Sequence, residues 1–185
     1  MKRFLALYPG SVCKAVTSIA VAAERSSFGI LELSYTVAGA IDDVYWPPAD
    51  TPARTDNLWK STCFEAFIMP LPGEAYVELN LSPSSRWAAY RFSSHRTSLG
   101  DVGEVSHPRI VVQRKEGSFE LKAQVDLRAV PDLPKGAVWR LGLTAVIEEA
   151  GGALSYWALA HPSGASDFHN SVGFTWELPP AEHPG

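Results

Sequence analysis

Short stretches in which apolar and polar residues alternate run through this chain, and almost nothing in it repeats with the 3.6-residue period of a helix. Leu31, Leu33, Tyr35 and Val37 alternate with Glu32, Ser34 and Thr36 before Ala38 and Gly39, which is the pattern of a strand burying one face. Phe119, Leu121, Ala123 and Val125 alternate with Glu120, Lys122, Gln124 and Asp126 after a turn at Glu116 and Gly117 that follows Ile110, Val111 and Val112. This spacing predicts a hairpin. A long apolar run from Val138 to Ile147 meets Leu154 to Leu159 across Gly151 and Gly152. A second hairpin follows, because glycine tolerates the positive φ of a tight reversal. Met1 to Gly10 has the charged beginning of a signal peptide but no apolar core after it, and reads as the first strand. Asp126 to Val130 has room for one helical turn before Pro131 and Pro134 end it. Many strands punctuated by Gly and Pro predict an all-β fold, an antiparallel β-sandwich.

A length of 185 residues suits one such domain, expected over residues 1–178 with 179–185 as a frayed tail. The net charge of -4 leaves no basic field, so nucleic acid is not an expected partner. No stretch approaches the apolar run of a membrane helix, and the expectation is a soluble protein without a membrane partner. Cys13 and Cys63 are the two cysteines, too few for a disulfide framework and not spaced as a zinc site. They suit a reducing compartment, and the cytoplasm is the expected location. The long segment from Asp42 to Asn57, with Pro47, Pro48 and Pro52, is expected to border a functional site.

The stretches Ser61 to Met69 and Tyr76 to Ser82 separate into two faces. Phe64, Ala66 and Ile68 join Val77, Leu79 and Leu81 on the core side. The other side collects Trp59, Cys63, Glu65 and Phe67 with Tyr76, Glu78, Asn80 and Ser82. A reversal centred on Leu71 and Pro72 would set Glu65 directly opposite Glu78, where like charges repel. An arginine, a cation, a raised pKa on one carboxyl, or a ligand donating hydroxyls to both would compensate them. Arg91 is the arginine expected to do so, if its strand turns Ala88, Tyr90 and Phe92 to the core and leaves Trp87, Ala89 and Arg91 on the mixed face. A solvated sheet face is the plainer interpretation of the two glutamates, but it does not account for Trp59, Phe67 and Tyr76 beside the charges. Sugars need that mixture, since their CH faces pack on flat rings while their hydroxyls require carboxylate, amide and guanidinium partners.

The run Leu58, Trp59, Lys60, Ser61, Thr62, Cys63, Phe64, Glu65, Ala66 and Phe67, then Tyr76 to Pro83, resembles the bacterial DOMON-like domain family. Ser155 to Pro162, followed by Asp167, Phe168, His169 and Phe174, extends the resemblance over nearly the whole chain. It implies kinship with DOMON domains, which are sugar-binding or haem-binding sandwiches, and with family-nine carbohydrate-binding modules, which grip a sugar between two tryptophans. In those modules a sandwiching Trp precedes a hydrogen-bonding Glu by six residues, as Trp59 precedes Glu65 here. Trp157 is then the candidate second wall. Asn80 stands near the place where the modules carry an arginine, a departure that leaves the sugar open. The resemblance also leaves room for a calcium ion near Asp42 and Asp43, although no cofactor is evident.

The expected function is therefore non-catalytic binding of a small molecule, a sugar first, with Trp59, Glu65, Glu78, Asn80, Arg91 and Trp157 at the ligand. Tyr76, His161, Asp167 and His169 are expected to border it. The last three offer two imidazoles and a carboxylate to a metal, but their spacing is not distinctive, and a border to the ligand face is the expected role. Three alternatives stand beside this one. The first is haem binding, for which Met69 is the available axial methionine. The second is a retaining glycosidase using Glu65 and Glu78 at about 5 Å. The third is a protein interaction module anchored by Trp46, Pro47 and Pro48.

Overall fold

The computed structural model describes residues 1–26 and 29–180; Ser27 and Phe28, and residues 181–185 of the predicted tail, lie outside the described residues. Twelve strands form the framework of the described residues: β1 (Arg3–Leu7), β2 (Val16–Arg25), β3 (Ile30–Gly39), β4 (Cys63–Pro70), β5 (Tyr76–Leu81), β6 (Trp87–Ser94), β7 (Thr97–Asp101), β8 (Arg109–Lys115), β9 (Ser118–Asp126), β10 (Trp139–Glu148), β11 (Leu154–Ala158) and β12 (Trp176–Leu178). Every ladder between these strands is antiparallel. The alternation had predicted this class, and both hairpins form, β8 with β9 and β10 with β11. No helix among the described residues is long and apolar enough to cross a membrane.

The strands run in the order β7-β6-β5-β4-β10-β11-β1-β2-β3-β9-β8, with β12 beside β10. β1 joins the two layers, because Arg3, Phe4 and Leu5 pair with β2 in the first sheet while Ala6 and Leu7 pair with β11 in the second. Two sheets that share a strand and face each other need an apolar filling between them. Leu31, Leu33, Tyr35 and Val37 of the first sheet meet Phe64, Ala66, Ile68, Leu79, Leu141 and Leu143 of the second. The buried Tyr35 hydroxyl donates to the Glu65 carbonyl across this core at 2.7 Å.

β3 and β9 bury alternate residues, as strands with one wet face do, whereas β5 is buried at all of its residues and β4 at all but its last. The outer face of the second sheet must therefore be covered as well. The cover is the segment from 159 to 175, which lays Phe174 on Phe67, Met69, Tyr76 and Phe92 as a second, smaller apolar cluster. Gly142 of β10 makes room for it, since it pairs with Phe67 and a methyl group there would overlap the Phe174 ring. Gly142→Ala is expected to destabilise the protein by about 1–3 kcal/mol through overpacking. A urea midpoint equal to that of the wild type would show that Phe174 moves aside freely.

Two loop expectations are corrected. Trp46 is no exposed anchor: its ring stacks on Phe119 at 3.7 Å and its indole N–H donates to the Ile41 carbonyl at 2.8 Å. The segment from Asp126 closes as a turn rather than a helix, with Val130 N–H bonded to Leu127 O at 3.2 Å.

Candidate functional site

The period of two along β4 and β5 places Glu65, Phe67, Tyr76, Glu78 and Asn80 on the outer side of the second sheet, away from the main core. Their pairing differs from the sequence expectation by two residues: Glu65 faces Asn80 and Phe67 faces Glu78. The loop after Pro70 is longer than a four-residue turn requires, so the hairpin centre moves toward Gly73. A slip of two preserves every face. Glu65 and Glu78 are thus diagonal neighbours, with backbone positions about 7 Å apart rather than directly opposed.

Around this floor lies a cleft of about 550 Å³. β6 supplies Tyr90 and Phe92, β10 supplies Val146, β11 supplies Tyr156, and the covering segment adds Ser166, Phe168 and His169. Trp59 stands at the lip on a 3-10 turn, Leu58–Lys60, which Asn57 opens in the left-handed conformation. It is 49% exposed, unusual for an indole with a sheet beside it. The covering segment is pinned at several points. Tyr8 donates to Gly164 O at 2.8 Å, Arg140 to Phe174 O at 3.1 Å, and Arg96 to Asp167 at 2.7 Å.

The two carboxylates are deeply placed, Glu65 at 2% and Glu78 at 6% exposure. Burial, then the charge of Glu78, pushes the Glu65 pKa up to about 8, against a hydrogen bond of 3.0 Å from the Thr144 hydroxyl. Burial also raises Glu78, but the Asn80 amide, donating at 2.6 Å, and the Arg96 guanidinium favour its charge. Glu65 therefore keeps its proton to higher pH, and Glu78 is the first of the pair to take up a negative charge.

His169 is neutral there. Burial, and then the Arg96 charge, lower it to about 4. Its Nδ1 lies 2.8 Å from the Tyr76 hydroxyl, whose oxygen already accepts the Arg96 backbone N–H at 3.2 Å. The tyrosine proton therefore goes to Nδ1, and the imidazole carries its own on Nε2. That N–H faces Glu78 Oε2 across 3.7 Å, too far for a hydrogen bond and, with a neutral ring, not an ion pair. One oxygen of each glutamate, Glu65 Oε1 and Glu78 Oε2, is left for a ligand.

The sequence-derived residues divide clearly. Trp59, Glu65, Glu78 and His169 line the cleft. Asn80 lies wholly beneath it, holding Glu78, and Tyr76 lies beside it, holding His169. Asp167 binds His95 and Arg96 at the rim. His161 is one layer back, its ring 6.4 Å from Phe168 and its Nε2 2.8 Å from Ala6 O.

Arg91 and Trp157 are corrections. Arg91 pairs with Val77, on the inner side of its strand, and meets Glu104 at 2.7 Å and Asp132 at 3.3 Å. β6 therefore has the opposite phase to the one expected, with Trp87 and Ala89 in the core and Tyr90 and Phe92 at the cleft. Trp157 is 5% exposed within the main core, its indole bonded to Ser155 Oγ at 3.1 Å. Its neighbour Tyr156 faces the cleft instead.

Met69, the suggested haem ligand, is buried in the second cluster. Among the described residues no group of three or more His, Cys, Asp or Glu side chains converges as a metal site. Asp42 is held by Arg114.

No family model matches the sequence, and neither does any curated protein. Solved structures do share its shape. A Bacteroides uniformis protein provisionally described as carbohydrate-binding superposes with a TM-score of 0.67 at 14% identity, over 95% of this chain and 84% of that one. A family-nine carbohydrate-binding module from Caldicellulosiruptor kristjanssonii, in complex with cellotriose, does so with a TM-score of 0.53 at 9% identity, over 97% of this chain and 81% of that one. At these identities the likeness is one of fold, and it places the chain among β-sandwiches of this architecture.

Proposed function

We propose that this chain is a non-catalytic carbohydrate-binding β-sandwich, one unit over residues 1–178, with kinship to the DOMON-like domains. The observation that carries the reading is Trp59, half exposed at the lip of a cleft floored by two buried carboxyls. A sugar ring laid on the indole would meet protonated Glu65 as a donor, Glu78 as an acceptor and His169 Nε2–H as a second donor. The two sandwiches of like fold support it, one provisionally described as carbohydrate-binding and the other holding cellotriose.

The division of charge between Glu65 and Glu78 also suits an acid and nucleophile pair, which favours a second reading as a retaining glycosidase. Both carboxyls, however, rise from the same sheet face and approach a ligand from one side, whereas hydrolysis needs them to flank the scissile bond. Binding is the better account.

A glycan array followed by calorimetry tests it. Trp59→Ala is expected to weaken the best glycan at least about tenfold, as loss of a stacked ring does, with an unchanged melting temperature. Binding that is indifferent to Trp59 would remove the proposal's main support, and turnover of a chromogenic glycoside that stops in Glu78→Gln would replace it with the enzyme.

A further inference from the structure

Glu78, the carboxyl of the pair that ionises first, has no ion-pair partner while His169 is neutral. The ionisable groups lining the cleft besides the tyrosines are Glu65, Glu78, Arg96 and His169. Arg96 is committed to Asp167, which accepts from its Nε at 3.1 Å and its terminal nitrogen at 2.7 Å. Asp167 is also bound to His95 at 2.7 Å, so this rim cluster has its own internal partners. His169 gives Glu78 only a neutral N–H at 3.7 Å. Lys60 lies over the Trp59 ring at 5.6 Å on the exposed turn, outside the floor. The floor is therefore a carboxyl pair with two oxygens unpartnered by hydrogen bonds, each on a side chain more than nine-tenths buried.

The walls around it are aromatic. Trp59, Phe67, Tyr90, Phe92, Tyr156 and Phe168 surround the two glutamates. Ring faces carry partial negative charge and attract a cation most strongly where water is excluded. A neutral hydroxyl would satisfy the hydrogen bonding of Glu78 but leave its charge offset only by the Arg96 guanidinium, which is itself paired with Asp167. An acidic sugar would add a further negative charge to the floor. An ammonium group answers both the carboxylate and the rings.

Resting on the carbohydrate reading above, we infer that the sugar this cleft selects carries a free, protonated amino group, seated over the Glu78 carboxylate within the aromatic walls. Its N-acetylated and hydroxyl counterparts are then the discriminated ligands, because each keeps the ring and loses the charge.

The test compares three β-1,4-linked trisaccharides that differ only at the second carbon: that of glucosamine, that of N-acetylglucosamine, and cellotriose. The matching amine, acetamide and hydroxyl forms of galactose and mannose are run beside them on an array. In calorimetry at pH 6.5 the amine form of the preferred sugar is expected to bind at least about tenfold tighter than both counterparts. In Glu78→Gln, checked for folding by circular dichroism, the ratio is expected to collapse to within about twofold. The comparison among ligands needs no variant, so a poorly folded Glu78→Gln leaves it decisive. Hydroxyl or acetamide forms binding as tightly as the amine would overturn the inference while the carbohydrate reading stood. Absence of binding by any of these sugars would overturn both.

Discussion

Replacing Glu65 by glutamine is expected to make the protein more stable above neutral pH and to flatten its stability against pH. The sign follows from the raised pKa. In the unfolded chain Glu65 ionises near 4.5, but in the folded protein it keeps its proton up to about 8. Between those values folding takes up a proton, so the wild type loses stability as pH rises through the window, and the full penalty is present above pH 8. Glutamine carries no charge to desolvate and keeps an oxygen for the Thr144 hydroxyl. The gain at pH 8 and above is on the order of a few kcal/mol. His169 acts in the other direction, since its folded value of about 4 lies below the ordinary 6.5, and stability is lost as pH falls between them. The interval from pH 6.5 to 8 is the useful one, because the folded His169 is neutral there and the remaining titration of its unfolded form is common to both proteins. Urea midpoints measured across it should diverge steadily between the two proteins. Parallel curves would mean that Glu65 is ionised in the folded state and that the charge distribution described for the cleft is wrong.

Phe67→Ala is expected to cost about 3–5 kcal/mol, the range for truncating a buried aromatic ring. Phe67 is 1% exposed, yet it lies outside the main core. Its ring stacks with Phe174 at 5.6 Å and meets His169 edge-on at 5.2 Å. Losing it removes both the floor beneath the cleft and the seat of the covering segment. Limited proteolysis between residues 159 and 175 should accelerate along with the fall in stability. A loss below about 1 kcal/mol would show that the covering segment is held by its polar pins and not by this second cluster.

What could be seen in the sequence depended on whether a strand had one wet face. β3 and β9 have one, and their alternation stated both their existence and their phase. On β4 and β5 the outward glutamates and asparagine marked the mixed face even though both faces are buried. The two-residue slip in register did not disturb that assignment, because a period of two is blind to it. On β6 and β11 the signal failed. Trp87, Ala89, Tyr90 and Phe92 are apolar on both sides of one strand, and Tyr156 and Trp157 are adjacent aromatics on another, so hydrophobicity carried no phase. The charge of Arg91 suits the cleft when read from sequence, but in the fold it finds Glu104 and Asp132 on the inner side. Phe168 and Arg96 reach the cleft through loops whose course no periodicity describes. The one available signal for Phe168 was its place between Asp167 and His169.

Trp59 and the carboxyl floor beside it are the proposed ligand surface, whereas the other indoles belong to the packing. With six tryptophans in the chain, a two-dimensional nitrogen and proton correlation spectrum resolves each indole N–H as one peak. On titration with the glycan identified by array, the Trp59 peak is expected to shift progressively to saturation, while those of Trp157, bonded to Ser155, and of Trp46, bonded to Ile41 O, stay in place. A saturating shift at Trp157 or Trp46 with Trp59 unmoved would contradict the account and move the site to another part of the sandwich.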